Sequence, residues 1–560
     1  MNNTAISLFF LLASMVGIGR PLWAAEGSES FDATTEAVGP SARGFTANEY
    51  VTPVNQRLTP AGFQVDLPAL RPNALALSPD HRLLVTAGLA STLYVVGTQT
   101  GKILQQVSFP SDQALQPPSL MTEALSPDTR ARLSFNGLVF SPDGTRIYLA
   151  NVNGDIKVFA VDEDRHVAPL FSIALPPVVG LGRQTDIPAG LAVSRDGKKL
   201  YVALNLSNRL AEMDTTTGKL LRLWDVGVAP FDVVVAGKKI YVSNWGGRRP
   251  GTNDLSGPAG MGTRVRVDPV RSIASEGSVS VIDTDDANQT EIVTGLHACA
   301  LALSPNGKFL AVANAGSDTV SVIATRSDEI VETISVRQSP GDPFGAQPDA
   351  LVFDRSGEKL FVCNGSQNAV AVMRFEPGKS EIAGLIPVGW FPGAIAFDPS
   401  RQQIYVANLR GVSRGPGPFY VSQYYNTLSL IEVPSAKKLA AFTARALADL
   451  RYPLLAQARL PARANRPPQP IPERVGEPSV FQHVIYIIKE NRTYDQMLGD
   501  VAAGNGDASL CNFGRRVTPN QHQLVHDFVL LDNTYCCGIV SADGHQWADS
   551  GLASDYIERS

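Results

Sequence analysis

Cysteine is scarce in this 560-residue chain, with 5 residues, and neither sign of charge dominates, since 48 Lys and Arg stand against 53 Asp and Glu. The length and the few cysteines exclude a small disulfide-stapled scaffold. A formal net charge of -5 argues against bulk nucleic-acid binding and against a cationic membrane anchor. With 44% hydrophobic and 18% charged residues, the chain is not disordered either. Beyond the first 25 residues no apolar run is long enough to cross a bilayer, so no membrane span is expected in the mature chain. Turn residues are plentiful instead: 48 Gly and 39 Pro favour an all-β region over a helical bundle.

The one apolar run, AISLFFLLASMVGI over residues 5–18, is too short for a span and is followed by Arg20, Pro21, Ala24 and Ala25. It reads as a signal peptide over residues 1–25, although Met-Asn-Asn-Thr carries no cation and Leu22 is large for its place before the cut. An uncleaved anchor is the alternative. A periplasmic or secreted protein is expected, with residues 26–59 as an N-terminal extension, in a compartment where disulfides are allowed but not required.

From about residue 60 the chain repeats itself. The copies are ALALSPDHRLLVTAG from Ala74, LVFSPDGTRIYLAN from Leu138, LAVSRDGKKLYVALN from Leu191, VVVAGKKIYVSN from Val233, LALSPNGKFLAVAN from Leu301, LVFDRSGEKLFVCN from Leu351 and IAFDPSRQQIYVAN from Ile395. In each, alternating Val, Leu, Ile and Tyr predict two strands, and a Ser-Pro-Asp-Gly type of sequence predicts the turn between them. The asparagines that end the second strand, Asn151, Asn244, Asn314, Asn364 and Asn408, are expected to take left-handed φ and start the next turn. A further strand pair comes after these, as in GSVSVIDTDD from Gly277, so each unit predicts a four-stranded blade. The shortest interval between turns, Ser194 to Ala236, is 42 residues, which is one blade; longer intervals hold insertions.

Seven such units resemble the YVTN family of β-propeller repeats over residues 60–433. A WD-type repeat fits less well, because Trp-Asp occurs once, at Trp224-Asp225. The first copy departs most from the pattern, as a blade at the closure point would, and its outer strand is expected from GFQVDLP near Gly62. Two insertions, residues 246–276 and 409–426, come after the same strand of blades four and seven and should emerge on one face. They carry Arg248, Arg249, Arg264, Arg266 and Arg271, and Arg410, Arg414, Phe419, Tyr420, Tyr424 and Tyr425. Two readings stay open: a docking surface for the C-terminal segment or an anionic ligand, and a solvated loop.

After residue 433 the composition changes. AKKLAAFTARALADL predicts a helix, PARANRPPQPIPERVGEPS a Pro-rich linker, and residues 434–480 a boundary region. Within residues 481–560, the run at 484–488 predicts a parallel strand buried on both faces. Glu490 and Asn491 stand at its carboxyl end, where two hard oxygens suit a divalent cation; a plain turn is the alternative. Thr518-Pro519 predicts a helix to about Asp527, FVLLDNTY a second buried strand, and Ser541 lies at or near a helix N-terminus, as a cap or as a nucleophile. His522 and His526 have chelating spacing but read better as a solvated helix face, and four residues between Ser541 and His545 do not establish a base. Adjacent Cys536 and Cys537 make a strained pair; one is expected to bridge to Cys511, whereas Cys299 and Cys363 read as small core residues.

The strings KENRTYDQMLGD, NGDASL, TPN, FVLLDNTY and VSADGHQW, in this order, resemble the opening of the phosphoesterase family of acid phosphatases and phospholipases C, within the alkaline-phosphatase-like superfamily. The whole resembles a bifunctional YVTN-propeller and phosphoesterase protein. The implied fold is mainly β, a seven-bladed β-propeller followed by the N-terminal part of an α/β alkaline-phosphatase-like domain. The resemblance implies a divalent metal ion on Glu490 and Asn491, Ser541 as the phosphoryl-accepting nucleophile, Asn533 as an orienting group, and a phosphate ester as substrate. Because the family supplies further Asp and His ligands downstream, a sequence ending at Ser560 is expected to be a truncated and inactive piece. The competing reading is a propeller that binds a ligand or protein partner beside a vestigial module; a lactonase or quinoprotein finds no distinct site in the blades.

Overall fold

The computed structural model describes residues 50–52, 56–111, 127–178, 183–260, 262–285, 288–413, 424–534 and 540–559. The expected signal peptide therefore lies outside the described residues, as do Cys536, Cys537, Arg414, Phe419 and Tyr420. Two compact units emerge: Arg451–Cys537 together with Met1–Thr35, and Glu36–Leu450 together with Gly538–Ser560.

The larger unit contains seven four-stranded antiparallel sheets, the blades of a propeller. The first strand of each blade packs on that of the next, and Pro392–Asp398 of blade seven packs on Pro72–Leu77 of blade one to close the ring. Second strands such as Lys199–Leu204 and Phe309–Asn314 are buried along nearly their whole length, because each blade face is covered by its neighbour. Outer strands such as Glu329–Ser335 are largely exposed. The turns are set by the residues that define them. Ser78, Ser141 and Ser194 donate to Asp80, Asp143 and Asp196 at 2.6, 2.5 and 2.6 Å, and Gly144 supplies the required left-handed φ of 75°.

Closure differs from the expectation. Phe63–Leu67 does form an outer strand, but it pairs with Tyr424–Glu432 and completes blade seven, while blade one owns four strands from Pro72 to Ser108. The physical reason is that a ring joined by strands from both ends of the propeller is held shut by a sheet's hydrogen bonds rather than by side-chain packing alone. The asparagines also differ. None of the five has positive φ; all are fully buried at the ends of their strands. In four of them the side-chain amide clamps the second strand to the third, Asn151 through Asp155 Oδ1 at 2.6 Å and the others through hydroxyls. Asn244 Nδ2 donates to Ser280 at 2.9 Å, Asn314 to Ser321 at 2.9 Å and Asn408 to Ser429 at 3.0 Å. The buried amide N–H group reaches such partners without the residue leaving the β region, while, among the described residues, the Oδ1 atoms of Asn244, Asn314 and Asn408 accept no hydrogen bond.

Helix α1 (Ala436–Asp449) starts at the Ser435 cap and lies on blade six, where Thr443 Oγ1 accepts from the Leu385 N–H at 2.9 Å and Leu439 joins the blade's core. The larger unit ends with α5 (Ser541–Ser550) and α6 (Asp555–Arg559).

The smaller unit holds α2 (Tyr452–Ala458), α3 (Tyr494–Leu498) and α4 (Pro519–Asp527) and, among the described residues, no strand. Among the described residues, 484–488 and 528–534 therefore do not form the expected parallel strands. Residues 484–488 instead stand 38–66% exposed. A strand of that composition is stable only between two others with both faces covered, and no described residues provide them. Helix α4 has the bounds expected of it, although Thr518 Oγ1 donates to the Phe513 carbonyl at 2.7 Å instead of capping the helix.

Candidate functional site

In the smaller unit Glu490, Asn491 and Asn533 are all exposed and outside regular structure. Glu490 and Asn491 offer two oxygens to a cation, yet among the described residues no group of three or more His, Cys, Asp or Glu could hold a metal ion. A hard divalent cation takes about six oxygen ligands, so this donor set is incomplete and no chemical step is assigned to a metal. His522 is not on a solvated face. It is buried, with Nε2 2.7 Å from Asp500 Oδ1 and Nδ1 2.9 Å from the Thr518 carbonyl oxygen, whereas His526 is exposed beside Asp527. The His522 bond holds the Asp500 carboxyl down at about 2. Cys511 is free, and the Cys536-Cys537 pair of its expected bridge lies outside the described residues.

Ser541 belongs to the propeller unit, where it opens the ten-residue helix α5, as expected, and is exposed. The His545 Nδ1 lies 2.8 Å from the Ser541 carbonyl oxygen and so faces the backbone instead of the hydroxyl. Asp543, in the same first turn, is buried and accepts from Arg410 Nη2 at 2.9 Å. Arg410 Nε also donates to Glu558 of α6, and its guanidinium lies 5.9 Å from the Trp390 ring centre. Burial raises the Glu558 carboxyl, with Arg410 opposing, and burial together with Arg410 brings the nearby Arg71 down to about 9. The blade-seven insertion thus docks the C-terminal segment through Arg410. In the blade-four insertion four of the five arginines turn inward: Arg248 pairs with Glu276 at 2.8 Å, Arg266 with Asp254 at 2.7 Å, Arg271 with Asp268 at 3.4 Å, and Arg264 bonds Ser256, while Arg249 reaches Asp225 at 3.1 Å and the Val226 carbonyl at 2.7 Å.

Helix α6 reaches the propeller axis. Leu552 approaches Gly345, whose φ of 133° and lack of a side chain leave room for it, and Ala553 is fully buried. Tyr556 stands edge-on to Trp245 at 5.7 Å, and Trp245 stacks on both Phe231 (4.5 Å) and His297 (4.6 Å). Asp555 Oδ2 lies 3.6 Å from His297 Nε2. Arg559 is buried at the end of this path. Nothing in the sequence marked it, since one arginine in a last helical turn has an ordinary role there.

Elsewhere on the propeller, a cleft of about 790 Å³ is lined by Arg82, Arg165, His166 and Arg401. Arg165 and Arg401 are already paired, with Asp80 at 2.8 Å and Asp398 at 2.9 Å, which limits the charge it can offer a ligand.

Similarity to known proteins centres on the propeller. A family model described as "Lactonase, 7-bladed beta-propeller" matches residues 265–386. The seven-bladed beta-propeller protein Rv1057 of Mycobacterium tuberculosis is 24% identical over 353 residues, covering 60% of this chain and 79% of that protein. Among solved structures, hydrazine synthase of Kuenenia stuttgartiensis has a TM-score of 0.46 at 17% identity, covering 65% of this chain and 96% of that one. U3-55K has a TM-score of 0.48 at 13% identity, covering 66% and 98%. By its seven four-stranded sheets and by these sequence matches, the protein carries a seven-bladed β-propeller similar to those of the lactonase family and Rv1057.

Proposed function

We propose that the protein is an exported hydrolase of phosphate esters in which the propeller is the platform for the helix that carries the nucleophile. The observation behind this reading is the setting of Ser541, exposed at the start of α5 while Asp543 two residues on is buried against Arg410. A helix held in this way presents its N-terminus to solvent, where the dipole favours the negative charge of a phosphoryl group. The strings KENRTYDQMLGD, NGDASL and VSADGHQW support the phosphoesterase assignment, and the apolar run at 5–18 supports export to the periplasm or beyond. In the proposed reaction Ser541 Oγ attacks phosphorus, the P–O bond to the alcohol breaks, and the alcohol leaves with the proton that Oγ gives up. Water then cleaves the phosphoserine, releasing phosphate and restoring the hydroxyl. The roles of Asn533, and of Glu490 and Asn491 toward a metal, rest on the resemblance alone.

The test is turnover of a chromogenic phosphate ester by the gene's product with added Mg²⁺ or Mn²⁺, beside Ser541→Ala. Loss of turnover and of phosphoserine in a folded variant is expected. Equal turnover in the variant, or neither signal in the wild type, contradicts the proposal.

A second reading, lactone hydrolysis by the blades, is favoured by the family match over residues 265–386. Turnover of a lactone panel that survives Ser541→Ala would select it.

A further inference from the structure

The registers of the seven blades bring one position of each first strand to the axis. Leu75, Leu138, Leu191, Val233, Leu301, Leu351 and Ile395 occupy equivalent places opposite their second strands. Two residues earlier in blades one, four, six and seven stand Asn73, Phe231, Asp349 and Gly393, and Arg559 meets all four. Its Nη1 donates to the Asn73 carbonyl at 3.2 Å. Its Nη2 donates to the Gly393 carbonyl at 2.7 Å and lies 3.5 Å from that of Asp349. The guanidinium carbon sits 5.5 Å from the Phe231 ring centre, and Asn73 Nδ2 donates back to the Arg559 carbonyl at 2.9 Å.

The third nitrogen, Nε, donates to Asp555 Oδ1 at 2.6 Å, one turn back on the same helix. Asp555 therefore moves with the plug, and the propeller's own contribution is three backbone carbonyls, an aromatic face and a carboxyl. That carboxyl is Asp349, 1% exposed, with neither oxygen hydrogen-bonded. Burial, and then Asp555, push it well above the usual carboxylate range, while Arg559 opposes them. A planar fork of donors matches carbonyls spread around a ring and can lie against Phe231, which a single ammonium cannot do. Withdrawing Arg559 would leave these acceptors without the cation that now donates to them.

We propose that the axial mouth of the propeller is a guanidinium-binding site, filled in cis by Arg559 and able to take an arginine-bearing or small guanidinium ligand when the Gly538–Ser560 segment withdraws. This does not depend on the role of Ser541.

The first test is chemical rescue in the full chain. Arg559→Ala should show a Tm that rises with millimolar ethylguanidinium, with affinity about tenfold or more above that for ethylammonium, while the wild type does not respond. Equal responses in wild type and variant, or to both cations, overturn the proposal. Should Arg559→Ala not fold, the double variant Asp543→Asn, Glu558→Gln weakens the segment's hold on Arg410 and leaves the socket intact. A labelled peptide of sequence DYIER should bind this variant and be displaced by ethylguanidinium, and its citrulline counterpart should not bind. Equal binding of the two peptides, or none of either, overturns the proposal. Peptide binding much tighter than ethylguanidinium points to a protein arginine as the ligand, and comparable binding to a small guanidinium compound.

Discussion

Arg410 of the seventh blade donates to Asp543 of α5 at 2.9 Å, and both side chains are almost wholly buried. Desolvation of such a pair offsets most of its attraction, so its main effect is registration: an arginine in this place accepts the segment only where two acids, Asp543 and Glu558, arrive together. The start of α5, and with it Ser541, is thereby located by the propeller.

The buried asparagine clamps should matter to blade stability. Asn314→Ala removes donors to Thr319 at 3.1 Å and Ser321 at 2.9 Å and leaves a buried hydroxyl without its partner. A loss of about 1–3 kcal/mol is expected, seen as a lower urea midpoint at constant slope. A change below about 0.5 kcal/mol would show that the clamp contributes nothing beyond an ordinary surface contact.

Stability should carry a signature of Asp232, which burial pushes up to about 6 although it accepts from the Val233 and Leu301 N–H groups. The folded state holds this proton more tightly than the unfolded chain. Its contribution is therefore complete below the ordinary value of 3.8, declines as pH rises to about 6, and stays lost above, by about 3 kcal/mol. Urea unfolding at pH 4 and pH 7 should show this decline in the wild type and not in Asp232→Asn. Parallel behaviour of the two proteins contradicts it.

In the smaller unit the sign reverses. Asp500, held at about 2 by His522, favours the fold above its ordinary value of 3.8, and that contribution is lost as pH falls toward 2. Asp500→Ala leaves His522 without its acid, so amide protection across Pro519–Asp527 should fall. Unchanged protection would show that α4 does not need the pair.

The propeller was legible because each blade repeats one local rule, a turn sequence between period-two strands, and seven copies leave few alternatives. What the repeat could not convey is anything that joins distant copies. The pairing of Phe63–Leu67 with Tyr424–Glu432 depends on closure of the ring, and the asparagine clamps depend on partners that lie on the third strand. For Arg410 the sequence left docking and a solvated loop both open, and its pairing with Asp543 and Glu558 decides for docking. Arg264 and Arg266 looked the same in sequence, yet their partners Ser256 and Asp254 come from the insertion itself. The strand expected at 484–488 failed for the opposite reason: its composition is right, but a parallel strand is made by its neighbours. Arg559 escaped notice because its partners are backbone carbonyls, which no sequence pattern reveals.

The central claim is that the propeller holds residues 540–559 at its axis through Arg410. Hydrogen exchange over residues 540–559 in the wild type and in Arg410→Ala tests it directly. Removing one partner of a buried ion pair costs about 3–5 kcal/mol, so the variant should lose protection in α5 and α6 by about two to four orders of magnitude while the blade strands keep theirs. Equal protection of those helices in the two proteins would contradict the account.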